Sequence, residues 1–311
     1  MLIMLTAAIM VFPNCSARYG DAIATLSAGG PDSIRYVRFE GVADCLRVGL
    51  SSGETQLWNV KRKHLQSRGI AGREVRAYCF AGPGLVYTLH ADGSVALRSA
   101  DTGVQISCLV AGNRKVTYIA SDQFGRYLAM VMDDQVHLIG AKRVKVLKVS
   151  GVRVASFSRE GSTIGLSRSD GEVQLYDIST LKRISGVRVA RRGAPLFALS
   201  TTASLIAARE GWADALVGIW SVKAGKKVIA MSDSRSAETM LWAPADNRLL
   251  IGFTWGLAQL YKAKTGTVEA VFKGEQRGSQ YPVRAIDIST DGKLIAIGYW
   301  EGIVAVYRAP T

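Results

Sequence analysis

One eleven-residue pattern repeats along the whole chain, and it constrains the fold more than any other feature. It is clearest in Ser167–Asp177, SRSDGEVQLYD: a polar pair, an Asp-Gly turn, then alternating polar and apolar positions ending in Tyr-Asp. Set in register on Tyr176, the pattern recurs with Trp58, Arg98, Ile139, Trp220, Tyr261 and Tyr307 at the same position, at intervals of 37 to 46 residues. Self-similarity at such a period marks a repeated supersecondary unit that stacks on its neighbours to bury its faces. An apolar strand, a Gly- or Asp-rich turn and a second apolar strand precede each copy, as in Val283–Gly298 and Val154–Ser167. A turn and one more strand follow it, as in KAGKKVIAMS. Each unit therefore holds four short strands, a to d. Asp170-Gly171 is expected to supply the positive-φ residues of a tight two-residue turn, with Val173 and Leu175 on one face and Glu172 and Gln174 on the other.

Composition agrees with strands. The chain has 311 residues, 48% of them hydrophobic, with 32 Gly and only 7 Pro, and no run of helical periodicity outside the extreme N-terminus. A four-stranded unit of this length, with an Asp-Gly turn and an aromatic-Asp ending, resembles the WD40-repeat family over nearly the entire chain. The resemblance implies an all-β fold: a seven-bladed β-propeller of four-stranded antiparallel blades. Two family marks are missing. No copy has the Gly-His dipeptide before strand a, and the Trp-Asp ending survives only as Tyr176-Asp177 and, loosely, Trp58-Asn59. The family's His, Ser/Thr, Asp and Trp hydrogen-bond network therefore cannot form here in its usual way. The seventh copy stops after its third strand, whereas Asp21–Gly30 near the N-terminus reads as a fourth strand. That N-terminal strand is expected to complete blade seven and close the ring, so residues 18–311 form a single propeller domain.

Residues 1–17, MLIMLTAAIMVFPNCSA, are apolar and end in small residues, which reads as a signal peptide, although no Lys or Arg precedes the apolar run. Export to the periplasm or medium follows if the segment is cleaved; otherwise the chain is cytoplasmic. A misplaced start codon or a strand packed under the domain would also account for it. The run is too short to span a bilayer. Cys15, Cys45, Cys79 and Cys108 lack CxxC spacing and His partners, and are expected to be buried small apolar residues rather than ligands. His64, His90 and His137 are scattered. No nucleophile elbow, HExxH, phosphate loop or convergent carboxylate pair is present, so neither catalytic residues nor a cofactor or metal are expected.

Formal net charge is +14, from 39 Lys plus Arg against 25 Asp plus Glu, which favours acidic partners without specifying a fold. Sorting residues by register sorts them by propeller face, because the d-to-a and b-to-c loops open on one face and the other loops on the opposite one. Arginine recurs at the d-to-a loop and the start of strand a in every copy: Arg35, Arg73 with Arg76, Arg114 with Lys115, Arg153, Arg191 with Arg192, Arg235, and Arg277 with Arg284. Arg35, Arg76, Arg153 and Arg284 share one register, just after the first Val or Ile. They are expected to ring one mouth of the channel, where their mutual repulsion calls for screening by water, counterions or an anionic partner. The alternative is long side chains reaching into solvent from strand ends. Trp212, Trp255 and Trp300 lie in the b-to-c turns of blades five, six and seven, on the same face, whereas Trp58, Trp220 and Trp242 occupy core registers.

The partner-binding candidates are therefore Arg35, Arg76, Arg153, Arg192, Arg284, Trp212, Trp255 and Trp300. They suggest a non-catalytic interaction scaffold, working alone or within a hetero-complex, that binds an acidic peptide or protein segment. Binding of nucleic acid or another polyanion is the second reading, since aromatics among basic residues also suit base stacking. A periplasmic propeller enzyme is the third.

Overall fold

The computed structural model describes residues 18–28, 32–41, 44–72, 74–110, 116–132, 135–140, 143–193, 195–210, 216–231, 236–274 and 281–310. Every regular element among them is a β-strand. Seven sheets follow one another along the chain, each with antiparallel order a-b-c-d, which is a seven-bladed β-propeller. The innermost strands a are Ile34–Phe39, Val75–Gly82, Tyr118–Ser121, Val152–Phe157, Phe197–Leu199, Ala237–Trp242 and Val283–Ile288. They surround a central cavity of about 420 Å³. No helix among the described residues is long and apolar enough to cross a membrane.

The ring closes as the repeat count requires. Strand Ala22–Ser27 pairs antiparallel with Ile303–Arg308 and supplies strand d of blade seven, with Leu26 opposite Val304 and Ala24 opposite Val306. A further bond, from Ala28 N–H to Gly302 C=O (2.8 Å), extends the ladder into the turn. Closure pairs the outer edge of Ile303–Arg308, which would otherwise stand open on blade seven. One strand was not anticipated: Arg18–Gly20 runs parallel to Val268–Lys273, strand d of blade six, and makes that blade five-stranded. The chain thus runs along the rim of blade six before entering blade seven. The expected signal segment, residues 1–17, lies outside the described residues.

Two devices recur around the ring, one between neighbouring blades and one within strand c. Strand b carries a glycine at one register in blades one, six and seven, and two residues earlier in blade four, and the first strand of the next blade lies directly on it. A methyl placed on Gly49, Gly165, Gly252 or Gly298 would lie 3.0, 2.7, 2.4 or 2.4 Å from Tyr78, Phe197, Val283 or Ile34. Only a missing side chain lets the blades approach this closely. The second device replaces the absent family network. In strand c a glutamine two residues before the ring accepts the hydrogen bond of the aromatic polar group: Trp58 Nε1–H to Gln56 Oε1 and Tyr176 O–H to Gln174 Oε1, both 2.7 Å, and Tyr261 O–H to Gln259 Oε1. Burying Trp or Tyr without such an acceptor would leave a costly unpaired donor.

The expected two-residue turn at Asp170-Gly171 is corrected by the structure. Gly171 N–H bonds Arg168 C=O at 3.0 Å, so Ser169 and Asp170 are the corner residues. Only Gly171 is left-handed, at φ 86°. A left-handed backbone costs a residue with a Cβ roughly 1–2 kcal/mol, so the strain falls on the glycine. Asp170 instead accepts Glu172 N–H at 3.1 Å. Strand c behind it is buried on both faces, with Val173, Gln174, Leu175 and Tyr176 all inaccessible.

The cysteines also need correction. Cys79 is buried, and burial pushes its thiol up to about 12, but Cys45 is only half-buried and Cys108 is exposed. Cys108 falls on the outer strand of blade two, Gln105–Val110, where no further blade covers it. Cys15 lies outside the described residues.

Candidate functional site

Strand a begins at the face onto which the d-to-a and b-to-c loops open, so Arg35 and Arg284, the second residues of strand a in blades one and seven, stand at that mouth of the cavity. There the structure brings Arg35, Arg284 and Trp300 together. The Arg284 guanidinium lies over the Trp300 ring at 4.5 Å from its centroid, and that of Arg35 at 5.9 Å. Both arginines line the cavity. Cation–π contacts of this kind contribute about 0.5–1 kcal/mol at exposed sites. Trp300 stays 38% exposed, so its ring organises the two cations and still presents a surface.

The local charge is unbalanced. Arg284 is paired with Glu238 (3.1 Å), whereas no carboxylate among the described residues forms an ion pair with Arg35. Burial lowers the Arg35 pKa, the positive charge of Arg284 lowers it further, and Glu74 partly offsets both. Nε of each arginine is buried with no hydrogen-bond partner. Two guanidiniums on one indole, with one carboxylate between them, leave an excess positive charge beside an apolar ring. This arrangement suits a carboxylate with an apolar neighbour.

The remaining sequence candidates are dispersed. Arg76 and Arg153 hold the same register but are exposed, and no hydrogen bond or ion pair ties them to a described residue. Blade one, which precedes Arg76, has Ser51-Ser52-Gly53 in the turn where blade seven has Trp300. Arg191 and Arg192 are exposed in the loop entering blade five. Trp255 is 59% exposed in the blade-six turn, the most exposed of the described tryptophans. Trp212, Arg73, Arg114, Lys115, Arg235 and Arg277 lie outside the described residues. Trp220 and Trp242 are buried as expected, and Trp242 Nε1–H bonds Ala198 C=O at 3.1 Å.

Sequence reading missed two members of this surface. Tyr281, 40% exposed just before strand a of blade seven, hydrogen-bonds Glu301, whose charge raises the phenol pKa. Glu238, the counter-charge of Arg284, belongs to the neighbouring strand a of blade six. It occupies the register that holds arginine in blades one, two, four and seven, and that break in the pattern was the available signal.

Elsewhere, ionisable groups have structural roles. His90 is buried between Thr88 Oγ1 (3.1 Å) and Glu74 C=O (2.9 Å), and His64 is exposed on strand d of blade one. Among the described residues no group of three or more His, Cys, Asp or Glu could hold a metal ion. No protein-family model matches this chain, and no curated protein sequence matches it. The fold and its surfaces therefore define the class, a β-propeller, and the repeat pattern alone carries the WD40 resemblance.

Proposed function

We propose that the protein is a non-catalytic scaffold that binds an acidic peptide or protein segment over blades six, seven and one. The observation that carries this reading is the Arg35–Trp300–Arg284 stack, in which two cations share one partly exposed indole and, among the described residues, only Arg284 has an ion-pair partner. A propeller presents loops on a rigid ring, and such faces commonly serve recognition. Arg and Trp are the side chains that most often dominate interfaces, since they combine a large contact area with directional polar groups. Trp255 and Tyr281 would add apolar anchors flanking the stack.

The test is fluorescence anisotropy of a labelled peptide alternating Glu and Leu, against its Gln and Leu counterpart and a single-stranded oligonucleotide. The acidic peptide should bind best, and R35A/R284A should weaken it more than tenfold. Equal binding of the two peptides would overturn the proposal. Tighter oligonucleotide binding with a steep salt dependence would instead support the polyanion reading, which the net charge of +14 favours.

A further inference from the structure

Strand d is the outermost strand of each blade, and its outer edge is a row of main-chain donors and acceptors that a further strand can take up. Blade six shows this happening within the molecule. Arg18–Gly20 lies parallel to Val268–Lys273, opposite Ala270, Val271 and Phe272, all of which are buried. The added strand pairs only past a bulge, where the register slips between Val268 and Ala270. A bulge of this kind bends an edge away from an incoming strand. Strand d carries similar slips in blades one, two, four, five and seven. Among the described strands d, only that of blade three has none: Val144–Lys148 pairs residue for residue with residues 135–139.

The ladder also fixes which groups point outward. Gly140 N–H donates to Arg143 C=O at 3.0 Å, and bonded and non-bonded pairs alternate along an antiparallel ladder. Lys145 and Leu147 therefore bond strand c, while the N–H and C=O groups of Val144, Val146 and Lys148 face the outer edge. Val144 and Val146 stand opposite Ile139 and His137, and continue the face that Leu128, Met130 and Ile139 turn towards blade two. Blade two does not cover them, since they are 59% and 42% exposed. Ile106, Ile184 and Val228 are also exposed on outer strands, but each is the residue skipped at a bulge. Blade three thus combines a regular edge with two uncovered valines on one side of it.

Charge selects the occupant. Arg143 and Lys148 are exposed, Lys145 donates to Ile178 and Ser179 C=O in blade four, and no ion pair ties any of the three to a described carboxylate. Pairing with the same edge of a second copy would set these cations against one another, and like charges across a strand pair are destabilising. A strand that alternates apolar and acidic residues would instead cover the valines and meet the cations. We infer that the outer edge of blade three takes up an extended segment of a partner protein, alternating apolar and acidic residues, as a fifth strand. The site uses none of the residues of the Trp300 face, so either can fail without the other.

The experiment is fluorescence anisotropy of a labelled heptapeptide alternating Glu and Val, with the full chain carrying R35A/R284A so that the Trp300 face is disabled. The peptide should bind at least tenfold more tightly than a Ser-Val alternating peptide, and than one of the same composition with its Glu and Val residues in separate blocks. Val146→Pro removes an outward N–H and no ladder bond, so it should weaken binding at least tenfold with an unchanged melting temperature. Binding confined to the chain with Arg35 and Arg284 intact would belong to the Trp300 face and overturn the inference. Equal binding of the alternating and block peptides, undiminished affinity in V146P, or a dimer of the chain that V146P abolishes would overturn it as well. Should V146P melt early, Val144→Ser with Val146→Ser, which keeps the main chain intact, carries the test: affinity retained there refutes the site.

Discussion

Replacing Leu26 by Ala tests whether the N-terminal strand holds the ring together. Leu26 is 2% exposed, sits opposite Val304, and shares a cluster with Val306, Val48 and Leu46 of blades seven and one. Truncating a buried leucine costs about 2–5 kcal/mol, as lost burial plus the cavity left behind. An unfolding entropy of about 2.1 cal/mol/K per residue gives a chain of 311 residues roughly 0.65 kcal/mol/K. The melting temperature should therefore fall by about 3–8 °C. Ile23 on the same strand is 40% exposed, and Ile23→Ala should cost no more than about 0.5 kcal/mol, or under about 1 °C. Differential scanning calorimetry of both variants separates the cases. An unchanged melting temperature in L26A would mean that the strand detaches before the ring melts, and equal shifts in the two variants would refute the alternation that packs it; either outcome defeats the closure argument.

Gly171→Ala should be strongly destabilising in urea unfolding, because its φ of 86° disfavours a Cβ that would also lie 2.2 Å from Ala190 C=O. Gly225→Ala, at φ 62° with open space around it, should cost only the ~1–2 kcal/mol of the backbone term. Arg47→Ala should cost about 3–5 kcal/mol by the same measurement, since Arg47 is 1% exposed between Glu40 (3.2 Å) and Asp101 (2.9 Å), and its loss strands the nearly buried Glu40. Asp177 accepts bonds from Ser179 and Thr180 that hold its carboxyl at about 2, below its ordinary 3.8. A depressed folded pKa stabilises the fold above about 3.8 and loses that effect as pH falls through about 2. Asp177→Asn should accordingly lower the melting temperature at pH 7, and the gap from wild type should close between pH 4 and pH 2.

The number of blades and the closure were legible because both rest on local signals, namely turn glycines, alternation within strands and a missing fourth strand. The Gln-x-aromatic pairs were visible in TQLW, VQLY and AQLY, yet their role emerges only when the ring is seen bonding back along its own strand. Arg47 was illegible in CLRVGL, where alternation suggests a solvent-facing position, because Asp101 reaches it from the next blade. Of the arginines that share one register, Arg35 and Arg284 line the cavity and Arg76 and Arg153 do not, and register could not say which of them would meet an indole. Arg35 does so because closure places blade seven, with Trp300, beside blade one. The edge of blade three was missed for a related reason: VKVLK reads like any strand d, and its regularity emerges only from its pairing with strand c.

The central claim is that Arg35, Trp300 and Arg284 bind an acidic segment as one unit, and a double-mutant cycle measures that directly. Affinity for the Glu-Leu peptide would be compared in wild type, Arg284→Ala, Trp300→Ala and the double variant. Each single change should weaken binding about tenfold or more, and the double variant should lose little beyond the worse single one, because the indole aligns the guanidinium it stacks on. Losses that simply multiply, or a Trp300→Ala variant that binds as tightly as wild type, would contradict it.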